Sequence, residues 1–232
     1  MSAQTIDWVP ANTMACAKSV VEPEATMIKI YGRANSINVR KVLWLCGELG
    51  LPFEREDWGR GFRATSEPEF VKVSNFGVVP VIDDDGFILR ESQAIVRYLA
   101  AKHARADLYP TDLKARAAVE QWMDWAATDL YSGVRPVFLG LIVKMDGITP
   151  QSIDESAQEW GRQMQRLDAH LARSGPYVTG SAFTIGDIPV GLIVNRWFSI
   201  PFKKPKLAAV ETYYDRLGER AAFRTHGRNG TP

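Results

Sequence analysis

Three short segments carry side chains that could bind or activate a polar ligand, and the first is Asn35-Ser36-Ile37-Asn38. This segment precedes a predicted helix, so it places a hydroxyl and two amides where unpaired backbone N–H groups and the helix dipole favour an anion such as a thiolate. Ser and Asn are also preferred N-cap residues. The residues alone therefore leave open whether Ser36 or Asn38 activates a ligand or only caps the helix.

The second segment is Val79-Pro80, which interrupts an apolar strand pattern. Proline removes a donor from the strand ladder and is expected at an edge, a bulge or a bend. Only about one X-Pro bond in twenty is cis in folded proteins, so an ordinary edge-strand proline remains the alternative. A cis bond would turn the N–H and C=O of Val79 outward, where they could pair with a peptide-like ligand.

The third segment is Glu91-Ser92, at the start of another predicted helix. Ser92 and the nearby backbone amides could hold a carboxylate, while Glu91 could pair with an ammonium group. Together they suit a zwitterionic amino-acid head group. Taken singly, Ser92 is also an ordinary helix cap and Glu91 an ordinary solvated charge.

The elements that must position these segments follow a βαβ, hairpin, helix order. Residues 1–26 show no periodicity, and we predict that they form a mobile N-terminal extension. The alternating and helical patterns that follow predict these elements: a strand at 28–31, a helix from about 37 that stops at Gly50, a strand at 53–58, a short helix capped by Ser66 and Glu69, a strand at 78–82, a hairpin turn at 83–86, a strand at 87–89 and a helix capped by Ser92. This order is typical of a small mixed sheet covered by helices.

Helical patterns dominate after Pro110. Long amphipathic stripes recur there, and Asp187 is spaced to reach back to the Thr184 amide as in a capping box. We therefore predict an α/β domain over residues 27–105 and an all-helical domain over residues 111–232. The two domains account for the length of the chain.

Composition excludes several other classes of protein. The chain of 232 residues has 28 basic and 27 acidic side chains and a net charge of +1, without a basic stripe that would follow a phosphate backbone. No apolar run approaches the roughly 20 residues of a membrane-spanning helix. The two cysteines and three histidines form no metal-binding spacing. We expect a cytoplasmic protein without a metal, a nucleic-acid partner or a membrane.

The order of motifs resembles the glutathione S-transferase family. The motifs are Ser-Ile-Asn-Val-Arg-Lys-Val at the turn into the first helix, Val-Val-Pro-Val, the Asp-Gly hairpin, Glu-Ser-Gln-Ala-Ile and Arg-Tyr-Leu-Ala. Trp122-Met123-Asp124-Trp125, Thr184-Ile185-Gly186-Asp187-Ile188 and Tyr213-Tyr214-Asp215-Arg216-Leu217 extend the resemblance to about residue 223. It implies a thioredoxin-like N-terminal domain followed by an all-α domain, and it is strongest to bacterial members that activate the thiol with serine or asparagine.

The resemblance also implies roles for individual residues. Ser36 matches the hydroxyl that contacts the glutathione sulfur, and Asn38 matches an amide with a similar role in some classes. Val79 matches the residue whose backbone pairs with the cysteinyl part of glutathione, with Pro80 as the cis-proline, and Glu91 and Ser92 match the pair that holds the γ-glutamyl end. Candidates for the electrophile pocket between the domains are Trp125, Arg135 and Phe138, although each also suits a helical core.

Transfer of the glutathione thiolate to a small hydrophobic electrophile is the activity that the resemblance implies, with no cofactor besides glutathione itself and with a homodimeric assembly. A glutathione-dependent disulfide or peroxide reductase and a non-catalytic glutathione-binding regulator are the alternatives. Tyr31 ends the first strand and Cys46 lies on an apolar helix face, so we expect neither to activate the thiol.

Overall fold

The computed structural model describes residues 27–232, and the predicted N-terminal extension lies outside this range. Within it, a four-stranded mixed sheet with three helices is followed by a region that is helical to its end. This confirms the predicted fold class, a thioredoxin-like α/β domain followed by an all-α region. The boundary predicted between residues 105 and 111 stays a prediction.

The sheet brings three chain segments to one of its ends. Its strands are β1 (Ile28–Tyr31), β2 (Phe53–Glu56), β3 (Val81–Asp84) and β4 (Phe87–Arg90), in the order β2-β1-β3-β4. β1 pairs in parallel with β2 and antiparallel with β3, which is antiparallel to β4. Tyr31, Val81 and Arg90 share one row of the ladder. The segments just after β1, before β3 and after β4 therefore meet at the same end of the sheet.

Three helices cover this sheet: α1 (Ile37–Leu49), α2 (Pro68–Val73) and α3 (Ser92–Lys102). Val39, Val42, Leu43 and Cys46 of α1 are buried, and so are Ile95, Val96 and Leu99 of α3. Gly50 ends α1 at a φ of 65°, a left-handed conformation that glycine adopts without a steric penalty. These observations confirm the predicted helix α1 and its predicted end.

The predicted bounds of the hairpin are corrected by the structure. β3 begins at Val81, after Pro80, and continues through Asp83 and Asp84, which we had expected in the turn. The buried carboxylate of Asp84 accepts hydrogen bonds from the Tyr98 hydroxyl at 2.6 Å and from the Lys102 ammonium. These partners on α3 allow a charged residue inside the strand. The turn itself is Asp85-Gly86, with positive φ at both residues.

Two predicted helix starts are also wrong in detail. The N-cap of α2 is Glu67 instead of Ser66, and the Glu67 carboxylate accepts the Ala64 N–H at 2.9 Å. Pro68 fits the first helical turn because its missing N–H is not needed there. Ser92 is the first residue of α3 and Glu91 its N-cap, with no side-chain capping bond. The hydroxyl of Ser92 is therefore not used as a cap.

Seven further helices build the second region in the described part of the chain: α4 (Leu113–Ala127), α5 (Asp129–Ser132), α6 (Arg135–Phe138), α7 (Pro150–Ser174), α8 (Asp187–Ser199), α9 (Ala208–Gly218) and α10 (Ala221–His226). A π-helical turn, Leu139–Val143, follows α6. Asp187 accepts the Thr184 N–H at 2.9 Å, which confirms the predicted capping interaction. Side chains of both regions share one continuous core, in which α1 packs against α8 and α10.

Among residues 27–232, no single helix is both long and apolar enough to cross a bilayer. The segments Leu113–Ser132 and Arg135–Val143, which are bent by 58° relative to each other, together have the length and composition of a membrane span, and no more than that.

Candidate functional site

A cavity of about 370 Å³ opens where the end of the sheet faces the helical region. Ser36 and Val79 line it from the α/β side, and Tyr131, Phe138 and Arg196 line it from the helical side. A second cavity of about 380 Å³, lined by Lys41, Glu91 and Ser92 among others, shares Asn38 and Tyr131 with the first. All six residues predicted for glutathione lie at this end of the sheet, five of them lining these two cavities and Pro80 following Val79 directly.

Ser36 precedes α1 and is buried, with only 7% of its surface exposed. Its backbone is extended, and its carbonyl accepts the Arg40 N–H at 2.9 Å, as an N-cap residue should. Its hydroxyl makes no capping bond. The hydroxyl is therefore free to donate to a ligand in the cavity, at a helix N-terminus that favours negative charge.

Asn38 lies two residues further along, in the first turn of α1, and its side chain is bound by a buried cation. The Lys41 ammonium donates a hydrogen bond to Asn38 Oδ1 at 3.0 Å. Burial lowers the pKa of Lys41 to about 8, with Arg196 adding to the shift and Glu91 opposing it. The Asn38 amide oxygen is thus occupied, and its NH₂ group remains as a donor.

The Val79-Pro80 peptide bond is cis, as the family resemblance implied. Val79 lies outside the β3 ladder. Among residues 27–232, neither its N–H nor its C=O takes part in a hydrogen bond. An unpaired N–H and C=O on one residue are what an extended peptide needs to pair with a sheet edge.

Glu91 and Ser92 face the second cavity from the start of α3. Glu91 has an unusual φ of 69°. Its side chain, 67% exposed, pairs with Arg90 at 3.2 Å. Ser92 is 7% exposed and heads a helix of 11 residues whose first N–H groups are open to a ligand. The pair offers a carboxylate and a set of donors side by side.

Comparisons with known proteins agree with this architecture. Residues 30–107 match the family described as glutathione S-transferase, N-terminal domain. A glutathione S-transferase of Escherichia coli, GstB, is 36% identical over 201 residues, which cover 85% of this chain and 96% of that protein. The chain belongs to the glutathione S-transferase family.

Other members of the family are similar along most of the chain. Glutathione S-transferase 3 of Zea mays is 29% identical over 84% of this chain and 91% of its own length. The crystal structure of the theta class glutathione S-transferase of Xanthomonas axonopodis pv. citri with glutathione bound is 36% identical. It superposes with a TM-score of 0.81, covering 86% of this chain and 96% of that one. These proteins share the fold and the family, while the roles of individual side chains here stay predictions.

The structure separates the three electrophile-pocket candidates of this transferase. Arg135 and Phe138 line the same cavity as Ser36. Trp125 lines a different groove, with Trp122 of α4 and Arg166 of α7. The structure therefore does not bring Trp125 to the predicted site, because the indole packs between helices α4 and α7.

Tyr31 and Cys46, the two other residues considered for thiol chemistry, do not line the cavity. Cys46 is buried in α1, where burial raises the pKa of its thiol to about 12. Tyr31 is buried in a small cluster with Trp58, Phe70 and Val81. In the described part of the chain, no group of His, Cys, Asp and Glu side chains could hold a metal ion.

Sequence reasoning missed the basic character of the cavity. Besides the predicted Arg135, three arginines line it: Arg33, Arg60 and Arg196. They come from the turn after β1, the loop after β2 and the last turn of α8. Because these arginines are scattered over about 160 residues, they form no sequence motif that would predict a common site. The usable signal was Arg196 itself, a charge inside the apolar run Ile188–Trp197.

Proposed function

We propose that this protein conjugates the thiolate of glutathione to a small hydrophobic electrophile. One observation carries the proposal. The Ser36 hydroxyl, which makes no capping hydrogen bond, and the unpaired backbone N–H and C=O of Val79 line one cavity, and this cavity adjoins the one lined by Glu91 and Ser92. Each part of the tripeptide then has a complementary group. The bound glutathione in the related Xanthomonas structure supports the same ligand.

The proposed placement of glutathione follows from the chemistry of each group. The cysteinyl backbone pairs with the N–H and C=O of Val79, as an added strand would. The γ-glutamyl carboxylate lies at the N-terminus of α3 beside Ser92, and its ammonium group pairs with Glu91. The sulfur then faces the start of α1, where Ser36 or Asn38 donates a hydrogen bond to it.

The reaction requires little more from the protein than thiol activation and orientation. A hydrogen bond to sulfur and the dipole of α1 favour the thiolate, so the thiol proton leaves to solvent. The thiolate attacks the electrophilic carbon, a C–S bond forms, and the leaving group departs with its electron pair. Binding both reactants in one cavity removes the entropic cost of their encounter.

Product analysis tests the activity. The purified protein is incubated with glutathione and 1-chloro-2,4-dinitrobenzene, and the products are identified by mass spectrometry. We expect the dinitrophenyl conjugate and chloride in equal amounts, above the rate without protein. A separate incubation with a mixed disulfide or a hydroperoxide that yields oxidised glutathione, while no conjugate forms in the first, would indicate a reductase. Glutathione binding without either product would indicate a non-catalytic binding protein.

We also propose a homodimer and a cytoplasmic location, both supported by the family resemblance alone. In the proposed assembly, the N-terminal region of one subunit packs beside the helical region of the other around a two-fold axis. Sedimentation velocity at micromolar concentration should give the mass of a dimer. A monomeric mass would contradict the assembly without bearing on the conjugation activity.

A further inference from the structure

Arg196 is a buried cation whose hydrogen-bond donors the fold satisfies only in part. It lies in the last turn of α8 with 3% of its surface exposed. Within residues 27–232, neither Nε nor Nη1 of its guanidinium has a hydrogen-bond partner. It also forms no ion pair with any described carboxylate. Buried charges are normally paired, since removing an ion from water without compensation is costly.

The guanidinium is held in a defined orientation at the cavity that contains Ser36. It stacks on the ring of Phe138, with its central carbon 3.8 Å from the ring centroid. Arg196, Phe138 and Ser36 all line this cavity. Stacking uses one face of the guanidinium, whereas a planar anion binds at its edge, which carries the N–H donors.

The surroundings of Arg196 are positive. Arg33, Arg60 and Arg135 line the same cavity, and no Asp or Glu does so among the described residues. Burial, with Arg60 and Arg33 adding to the effect and Tyr131 opposing it, lowers the pKa of Arg196 to about 10. The side chain is therefore still protonated at neutral pH. A cavity lined by one sign of charge attracts a ligand of the opposite sign.

We infer that Arg196 binds a carboxylate carried by the electrophile, so that this transferase prefers anionic electrophiles to neutral ones of the same shape. The inference rests on the proposed function and specifies its substrate class. The apolar part of such a substrate contacts Phe138 and Leu139, which line the same wall of the cavity. Its carboxylate accepts two N–H bonds from the guanidinium, the arrangement that planar carboxylates favour.

Glutathione also has a glycyl carboxylate, which is the other possible source of this anion. Arg33 and Arg60 lie on the α/β side of the cavity, beside Val79 and Gly59. They are therefore placed to neutralise a carboxylate at the end of a tripeptide paired with Val79. Arg196 belongs to the opposite, helical side. The test must therefore separate binding of glutathione from binding of the electrophile.

A matched pair of benzylic bromides provides the substrate test. The thiolate attacks the benzylic carbon of 4-(bromomethyl)benzoate or 4-(bromomethyl)benzamide, a C–S bond forms, and bromide leaves with its electron pair. The two substrates differ in charge and hardly in shape. After subtraction of the uncatalysed rate, we expect a higher kcat/KM for the benzoate with the natural protein.

The variant Arg196→Met removes the charge and keeps much of the side-chain volume. Because a hydrogen bond to a charged group contributes roughly 1.5 to 3 kcal/mol, we expect kcat/KM for the benzoate to fall about 10- to 100-fold. The value for the benzamide should change by less than about threefold, because this substrate carries no charge that the guanidinium could pair with. Arg162→Met, which removes an exposed arginine of α7, should leave both values unchanged.

Binding of the two conjugates gives a readout that needs no turnover. We expect S-(4-carboxybenzyl)glutathione to bind the natural protein more tightly than S-(4-carbamoylbenzyl)glutathione in a calorimetric titration, and Arg196→Met to abolish this difference while the Kd of glutathione stays the same. Equal binding of both conjugates by a protein that catalyses conjugation would overturn the inference and leave the proposed function intact. Weaker glutathione binding in the variant would assign Arg196 to the glycyl carboxylate and also overturn it. If the natural protein binds the carboxybenzyl conjugate more tightly but catalyses no conjugation, the result would contradict the proposed function and leave this inference intact.

Discussion

Arg220 donates two hydrogen bonds to the carboxylate of Glu48, from Nε at 2.9 Å and from Nη2 at 2.5 Å. Glu48 belongs to the end of α1, and Arg220 is the residue before α10, so this ion pair joins the α/β region to the last helices. The Glu48 side chain is only 9% exposed, and its Oε1 also accepts the Trp44 indole N–H at 2.8 Å. The contact is thus a largely desolvated network across the two regions.

We predict that Glu48→Ala destabilises the protein by about 2 kcal/mol, because it removes the acceptor of both the partly buried Arg220 guanidinium and the Trp44 N–H. Chemical denaturation followed by fluorescence should show the loss as a lower midpoint. Asp215→Ala is the matched control, since Asp215 pairs with Arg228 at the surface with 73% of its side chain exposed. That variant should change stability by less than about 1 kcal/mol. Equal effects would mean that the Glu48 pair is as solvated as the surface pair.

Because the Lys41 ammonium is buried, we expect the stability of the protein to depend on pH. Burial lowers its pKa from 10.5 in the unfolded chain to about 8 in the folded protein. Below pH 8 both states are protonated and the cost of burying the cation is fully present. Between about pH 8 and 10.5 the unfolded chain binds more protons, so stability rises with pH.

The difference in unfolding free energy between the natural protein and Lys41→Met isolates this contribution. We expect the difference to shift in favour of the natural protein by about 2 to 4 kcal/mol between pH 7 and 10.5, at roughly 1.4 kcal/mol for each unit of pKa change. Denaturation at pH 7, 9 and 10.5 measures it. A difference that is constant over this range would show that Lys41 remains solvated.

Arg196 should reduce the stability of the free protein. The variant Arg196→Met loses a cation–π contact of about 1 to 2 kcal/mol but also relieves the larger cost of an unpaired buried charge. We expect a higher thermal midpoint, with each 1 kcal/mol corresponding to about 2 to 4 °C for a chain of this size. Arg162→Met again serves as the control. A lower midpoint in an anion-free buffer would mean that the fold itself uses the guanidinium.

Local patterns were sufficient to predict most of the fold. The alternation at Ile28–Tyr31, the helical spacing from Val39 to Leu49 and the glycine at position 50 each encode an element within a few residues. The errors arose where a distant partner decides the conformation. Asp84 stays in β3 because Tyr98 and Lys102 satisfy its carboxylate 14 and 18 residues later.

The sequence did not predict which charged side chains are buried, because their hydrogen-bond partners lie far away along the chain. Arg40 sits in the apolar run of α1 and donates to the His226 carbonyl at 2.6 Å, across 186 residues of chain. Periodicity predicts which face is buried but not which cations are buried with it. The basic cavity escaped prediction for the same reason, since Arg33 and Arg196 meet only in the folded protein. Ser36, Val79 and Ser92 could be proposed because each lies in a short motif.

The final prediction concerns which side chain activates the thiol. The Ser36 hydroxyl makes no capping hydrogen bond, whereas Asn38 Oδ1 accepts a hydrogen bond from Lys41. A hydrogen bond to sulfur strengthens as negative charge develops, so it acts on turnover more than on binding. We expect Ser36→Ala to lower kcat with 1-chloro-2,4-dinitrobenzene about 10- to 100-fold while the Kd of glutathione changes less than about threefold. Asn38→Ala should cost less.

The pKa of bound glutathione distinguishes these assignments directly. The ultraviolet absorbance of its thiolate is measured across pH for the natural protein, Ser36→Ala and Asn38→Ala. Because a hydrogen bond to the charged form lowers a pKa, Ser36→Ala should raise the apparent thiol pKa and Asn38→Ala should leave it nearly unchanged. The reverse pattern would assign activation to Asn38. If neither variant moves the pKa, the backbone N–H groups and the dipole at the start of α1 stabilise the thiolate without either side chain.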